Sequence, residues 1–171
     1  MKFIAPILFL FLILTSSAAQ DTSEKLLQNI TAYNNAFLTK NYDLVVEMTI
    51  PSIIEKGGGK EWMTGIIKEG VDTYTQANIT YLSITPEDPG QIIQSKDENL
   101  FTILPQEIVL NANGKRYSKT NYYLAISTDG GNNWHFTDLE AYDKESIKTF
   151  VPNFPDQLNF PNFAVPIQKQ K

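Results

Sequence analysis

Trp62-Met63-Thr64-Gly65-Ile66-Ile67-Lys68-Glu69-Gly70-Val71-Asp72-Thr73-Tyr74-Thr75-Gln76-Ala77-Asn78-Ile79-Thr80-Tyr81-Leu82-Ser83-Ile84 changes its periodicity part-way along. Up to Gln76, the apolar residues Trp62, Met63, Ile66, Ile67, Val71 and Tyr74 recur three and four apart, which gives a helix one buried face. From Ile79 to Ile84 the chain reads as an extended strand, closed by the loop Thr85-Pro86-Glu87-Asp88-Pro89-Gly90. The switch puts helices before this point and strands after it, the order of an α+β fold.

Toward the N-terminus, Leu26, Leu27, Ile30, Tyr33, Phe37 and Leu38 predict a helix over 22–39, with Asn34 inside its apolar stripe. A short second helix is expected over 42–48, capped by Asn41 and ended by Pro51. Pro51 to Lys56 reads as a short strand. Gly57-Gly58-Gly59 then forms the tight turn that opens the third helix; Lys60 lacks the spacing and the following Ser or Thr of a phosphate loop. Toward the C-terminus, Ile92-Ile93-Gln94 is expected to pair with 99–104, and Pro105 to mark a bulge or an edge. Gln106 to Leu110 leads into the turn Asn111-Ala112-Asn113-Gly114, and 115–127 and 133–139 are the last long strands. The tail 151–171 carries Pro152, Pro155, Pro161 and Pro166 with Phe154, Phe160 and Phe163 and reads as an extended strap over the body.

The first residues carry an address. Lys2 is followed by an almost unbroken apolar run from Phe3 to Leu14, then by Thr15-Ser16-Ser17-Ala18-Ala19, whose small Ser17 and Ala19 suit signal peptidase. Residues 1–19 are therefore expected to be a cleaved secretory signal, since the run is shorter than the roughly 20 residues a spanning helix needs. The expected location is secreted or periplasmic, with no membrane anchor after cleavage, and the body is a single domain over 20–150. Cysteine is absent, so disulfides and a lipid-modified cysteine are excluded. Without Lys2 the formal charge moves from -5 to -6, and no cluster of Lys and Arg offers a surface for nucleic acid.

Three helices leading into a curved antiparallel sheet resemble the nuclear transport factor 2-like superfamily, the cystatin-like α+β cone. The local matches are Tyr33-Asn34-Asn35-Ala36-Phe37 on the first helix, the glycine-containing segment from Pro51 to Trp62, and the final strand Asn133-Trp134-His135-Phe136-Thr137-Asp138. The resemblance implies a sheet wrapped around the long first helix with a cavity at its open end. It includes isomerases, dehydratases and binding modules, so it leaves the chemistry open.

Isomerases of this superfamily use a cone carboxylate with a tyrosine. The candidates here are Asp138, His135 and Tyr33. Strand alternation puts Trp134, Phe136 and Asp138 on one face and His135, Thr137 and Leu139 on the other, so His135 and Asp138 cannot act as a dyad. Tyr33, Asn34, Phe37, Trp62 and Tyr123 are the expected ligand-binding set, because polar tips on apolar faces need buried partners. Ser127-Thr128-Asp129-Gly130-Gly131-Asn132-Asn133-Trp134 matches the Asp-box pattern of propeller hairpins; occurring once, it reads as a structural turn. With no cysteine and one histidine, no metal site is expected, and no cofactor is implied. The sequons Asn29-Ile30-Thr31 and Asn78-Ile79-Thr80 matter only in a glycosylating host. The reading favours binding of a small apolar or amphipathic ligand, or of a protein partner, over catalysis. The alternatives are a lyase or isomerase using the cone carboxylate and tyrosine, and a structural homodimer.

Overall fold

The structure, a computed structural model, describes residues 11–161, 163 and 168–169. Residues 1–10 of the expected signal lie outside the described residues, and of 11–19 only the backbone is described, as the opening of helix α1 (Phe11–Leu38). Among the described residues no helix is long and apolar enough to cross a membrane. Helix α2 (Tyr42–Glu47) is capped by Asn41, whose side chain accepts from the Leu44 N–H, as expected.

The segment Pro51–Lys56 is not the expected strand but a helix, α3. Pro51 occupies the first helical turn, where its fixed φ suits a helix and its missing N–H costs nothing. The apolar pair Ile53 and Ile54 is buried, a spacing that one helical turn satisfies as well as a strand does. Gly57 caps α3 and Gly59, at φ 91, precedes α4 (Lys60–Gln76), so the glycines form a turn between two helices.

The helices precede a strongly curled antiparallel sheet that forms a half-barrel. Its strands are β1 (Ile79–Pro86), β2 (Ile93–Gln94), β3 (Leu100–Ala112), β4 (Lys115–Ser127), β5 (His135–Asp138) and β6 (Gln168–Lys169). The order is β1-β3-β4-β5, with β2 also paired to β3 and β6 to β4. The β3–β4 hairpin turns at Asn113 and Gly114, both at positive φ, as a two-residue turn of this twist requires. Pro105 does not interrupt β3: it sits opposite Tyr122, and its carbonyl accepts from the Glu87 N–H at 3.0 Å. The register shift lies instead in β1, between Tyr81 and Ser83.

Alternation along the sheet divides the core into two layers. On the concave side Leu104, Tyr123, Ala125, Trp134 and Phe136 close around Leu26, Ile30, Tyr33 and Ala36 of α1 and Val45 of α2. On the convex side Phe101, Ile103, Leu124 and Ile126 pack against Ile50 and Ile53, and against a helix the sequence reading lacked, α5 (Lys144–Phe150). That helix begins at a capping box in which Asp143 and Ser146 satisfy each other's backbone N–H groups. Val151, Phe154 and Leu158 of the tail complete the convex layer. The tail thus packs over the body, but through turns and bends up to residue 161 rather than as one extended strap. Pro166 lies outside the described residues.

Candidate functional site

The inner surface of the half-barrel, otherwise apolar, gathers a set of polar groups. Tyr33 and Asn34 reach it from α1, Gln106 from β3, Asn121 and Tyr123 from β4, and Asp138 from the end of β5. The inward face of β5 is the one bearing Trp134, Phe136 and Asp138, because Trp134 and Phe136 seal against α1. His135 therefore lies on the convex side, and the two carboxylate and imidazole candidates are kept apart by the strand between them.

Tyr33 is buried, with its ring 5.8 Å from Tyr123 in an edge contact and 5.5 Å from Phe136. Burial, reinforced by the negative charge of Asp138, drives its hydroxyl well above the usual phenol range, and a hydrogen bond with Thr49 partly opposes this. Tyr123 is raised likewise, by burial first and then by Tyr33 and Asp138. Asp138 is itself pushed up by desolvation. Both of its oxygens are taken: Oδ2 accepts from Asn121 Nδ2 at 2.9 Å, and Oδ1 accepts from the Glu140 N–H at 2.8 Å, capping the single 3-10 turn Leu139–Ala141. Lys119 and Glu140 form an ion pair of 2.6 Å beside it. Each oxygen keeps a free lone pair, but the two donors favour the ionised form against the desolvation that disfavours it, and they fix the orientation of the carboxylate.

Asn34 and Gln106 are fully enclosed and bonded to one another through Asn34 Nδ2 and Gln106 Oε1. Asn34 Oδ1 and Gln106 Nε2 have no protein partner. The pair costs stability relative to an apolar one, because each leaves one polar group unmatched in the interior.

Next to this braced interior lies an open cleft of about 230 Å³, lined by Phe37, Leu38, Lys40, Val71, Thr75, Ile79, Thr80 and Tyr81. Phe37 and Tyr81 meet edge to face at 5.0 Å, and Tyr74 extends the aromatic row at 6.0 Å from Tyr81. Tyr81 is half-buried, its hydroxyl pushed up to about 12, chiefly by desolvation. The roof of the cleft is α4, which rests mainly on α2 and touches β1 and α3, and which has no fully buried residue.

Of the expected ligand set, Tyr33, Asn34 and Tyr123 come together in the packed interior, and Phe37 stands in the cleft. Trp62 joins neither group: it is 62% exposed and lies over the glycine turn, where a Cβ on Gly58 would meet its ring at 3.0 Å. The sequence reading missed Tyr81 and Val71 as cleft walls, and Gln106 and Asn121 as polar partners. Gln106 did leave a signal, a polar residue at an inward position between Leu104 and Ile108. Tyr81 left none, because its neighbours depend on which strand pairs with which.

The Asp-box hairpin is the structural turn expected of it. Asp129 accepts from the N–H groups of Asn132 and Asn133 and from Asn133 Nδ2. These bonds, those of Asn133 foremost, hold its carboxyl at about 2. They also remove 132–133 from the ladder, so β5 starts at His135 and not at Asn133. Trp134 Nε1 donates to the Gly131 carbonyl, and the Trp134 N–H donates to Asn29 Oδ1, which fastens the hairpin to α1. Asn29 of the first sequon is thereby engaged on both sides, its Nδ2 donating to the Lys25 carbonyl.

No protein-family model and no curated protein matches this chain.

Proposed function

We propose that this domain is an exported cone of the nuclear transport factor 2-like kind, which binds a small apolar or amphipathic molecule without transforming it. One observation carries the reading: a largely apolar cleft opens between the end of α1, the start of β1 and α4, a helix that commits no residue fully to the core. Its volume falls below the roughly 300 Å³ at which drug-sized pockets begin, which suits a single ring or a short acyl chain. Lys40 at the rim supplies a partner for an acidic head group. The kinship is supported by helices that precede the sheet and by the way the sheet curls around α1. Export is compatible with the packing, because the first α1 residue in the described core is Leu26, well beyond Ala19.

A lyase or isomerase using Asp138 and Tyr33 is the second reading. It is favoured by the desolvated carboxylate beside two buried tyrosines, and weakened by the two hydrogen bonds that stabilise its ionised form and make it a poorer base.

The test is a native mass spectrum of the protein taken gently from its exported fraction, before and after denaturation. The expected result is a small-molecule mass excess on a chain that starts at Gln20, absent from a Val71→Trp variant that fills the cleft. A bare wild-type protein, or an excess that Val71→Trp retains, refutes the cleft as the site.

A further inference from the structure

A second cavity lies on the opposite, convex side of the sheet, away from the cleft under α4. It measures about 300 Å³ and is bounded by Ile50, Pro51 and Ser52 at the start of α3, Phe101, Ile126 and His135 on the sheet, and Val151 to Asn153 behind α5. Ile50, Phe101, Ile126 and Val151 are buried members of the convex layer, so the cavity is a gap in that layer with largely apolar walls. Asn153, at positive φ, closes one rim by donating from Nδ2 to Asp97. The volume reaches the lower end of ordinary ligand pockets, roughly 300 Å³, and a few polar tips on apolar walls are their usual make-up.

His135 is the polar group that gives this cavity a preference. Its register partner is Ile126, whose side chain shares the convex face, and among the described residues no hydrogen bond engages its ring. Burial lowers its pKa, and the charge of Asp129 only partly offsets that, which favours the neutral imidazole. A neutral imidazole has one N–H donor and one bare nitrogen acceptor. The other polar lining residues, Ser52, Asn99, Thr128 and Asn153, are neutral, and the charges closest to the cavity, Asp129 acting on His135 and Asp97 bonded to Asn153, are negative, so the site holds no cation for an anion to meet.

We propose that this convex cavity binds a small neutral molecule of phenol type, an apolar ring that fills the gap and a hydroxyl that pairs with the ring nitrogen of His135. A hydroxyl both donates and accepts, so it suits either tautomer of the imidazole, whereas an anionic ligand would lose water with no cation among the lining residues to meet it. Pro51, Phe101, Ile126 and Pro152 line the cavity with apolar surface against which a ring can pack.

His135 is the only histidine in the chain, so its ring resonances in a proton–carbon NMR spectrum assign themselves. Titration of the intact protein with 4-fluorophenol should shift those resonances saturably, while fluorobenzene, the same ring without the hydroxyl, should bind about fivefold to tenfold more weakly, the worth of one neutral hydrogen bond. Ile126→Trp fills the gap and should abolish binding. His135→Gln, which leaves the walls intact, should weaken 4-fluorophenol toward the level of fluorobenzene, read from the fluorine line, should the larger substitution disturb folding. Val71→Trp, in the other cleft, should change nothing here. The proposal falls if 4-fluorophenol gives no saturable shift, if fluorobenzene binds equally well, or if Val71→Trp removes the effect.

Discussion

Helices α1 and α4 are written in the same code, apolar residues three and four apart, and the fold uses them in opposite ways. The stripe of α1 disappears: Leu26 and Ile30 are wholly enclosed by the curled sheet, and Tyr33 and Ala36 nearly so. The stripe of α4 is only partly covered: Met63 and Ile67 pack against the core without being fully buried, and Trp62, Ile66 and Tyr74 stay about half exposed or more. A helical repeat states which face is apolar; the topology decides what, if anything, covers it. Here the sheet curls around α1, and α4 is left as a roof over the cleft.

The comparison breaks most directly by the same truncation in both helices. Ile30→Ala should cost about 2–5 kcal/mol, because a gap forms where neighbours on all sides cannot close in. Ile66→Ala, on the exposed face of α4, should stay within about 0.5 kcal/mol. Urea unfolding of both variants measures the contrast, and equal losses would remove it.

The next effect concerns the polar pair that α1 carries inward. Gln106→Leu strips Asn34 of its one partner and should cost about 1–3 kcal/mol. The double change Asn34→Leu with Gln106→Leu should recover most of that loss, since both orphaned groups disappear together. A double variant as weak as the single one would mean that the pair is bonded to something else.

A smaller effect sharpens the anchoring of α1 to the hairpin. The Asp129 carboxyl is held at about 2, below the usual 3.8, first by the Asn133 N–H. A depressed folded value means that the stabilisation is fully present above pH 4 and is lost as pH falls from about 4 to about 2. Asp129→Asn should flatten the acid limb of the stability curve in that window; an unchanged limb would show that other carboxylates govern it. His135 acts earlier: its pKa is lowered by burial, so folding disfavours its charged form, and stability should begin to fall below about pH 6.5. His135→Gln should remove that early decline. The smallest effect is Trp62→Ala, within about 0.5 kcal/mol, which would confirm that the ring covers the glycine turn without bracing the core.

Much of the architecture was legible because it rests on short-range physics. The change of period at Gln76, the cap at Asn41, the positive-φ turn at Asn113-Gly114 and the Asp-box turn all depend on residues close in sequence. Pro51 to Lys56 misled because six residues with two adjacent isoleucines suit one helical turn as well as a short strand. The α5 capping box at Asp143 and Ser146 is local too, but the helix it opens is only seven residues long, with Ile147 its one buried residue, so no apolar repeat marks it. Inward placement of Asp138 followed once Trp134 was known to face α1. The cleft was not readable, because Phe37, Val71 and Tyr81 belong to three elements whose meeting is a property of the whole topology. For the same reason the sequence did not show that Trp62 stands 62% exposed over the glycine turn, apart from both the cleft and the polar interior.

The central claim is that α4 is a loosely seated roof and α1 the fixed centre. Native-state hydrogen exchange of backbone amides tests it most directly. The account predicts that amides of α4 exchange through a local opening well below the free energy of global unfolding, while those of α1 from Leu26 to Ala36 exchange only when the whole domain unfolds. Equal protection of the two helices would contradict it, and with it the cleft as a site that a ligand can enter.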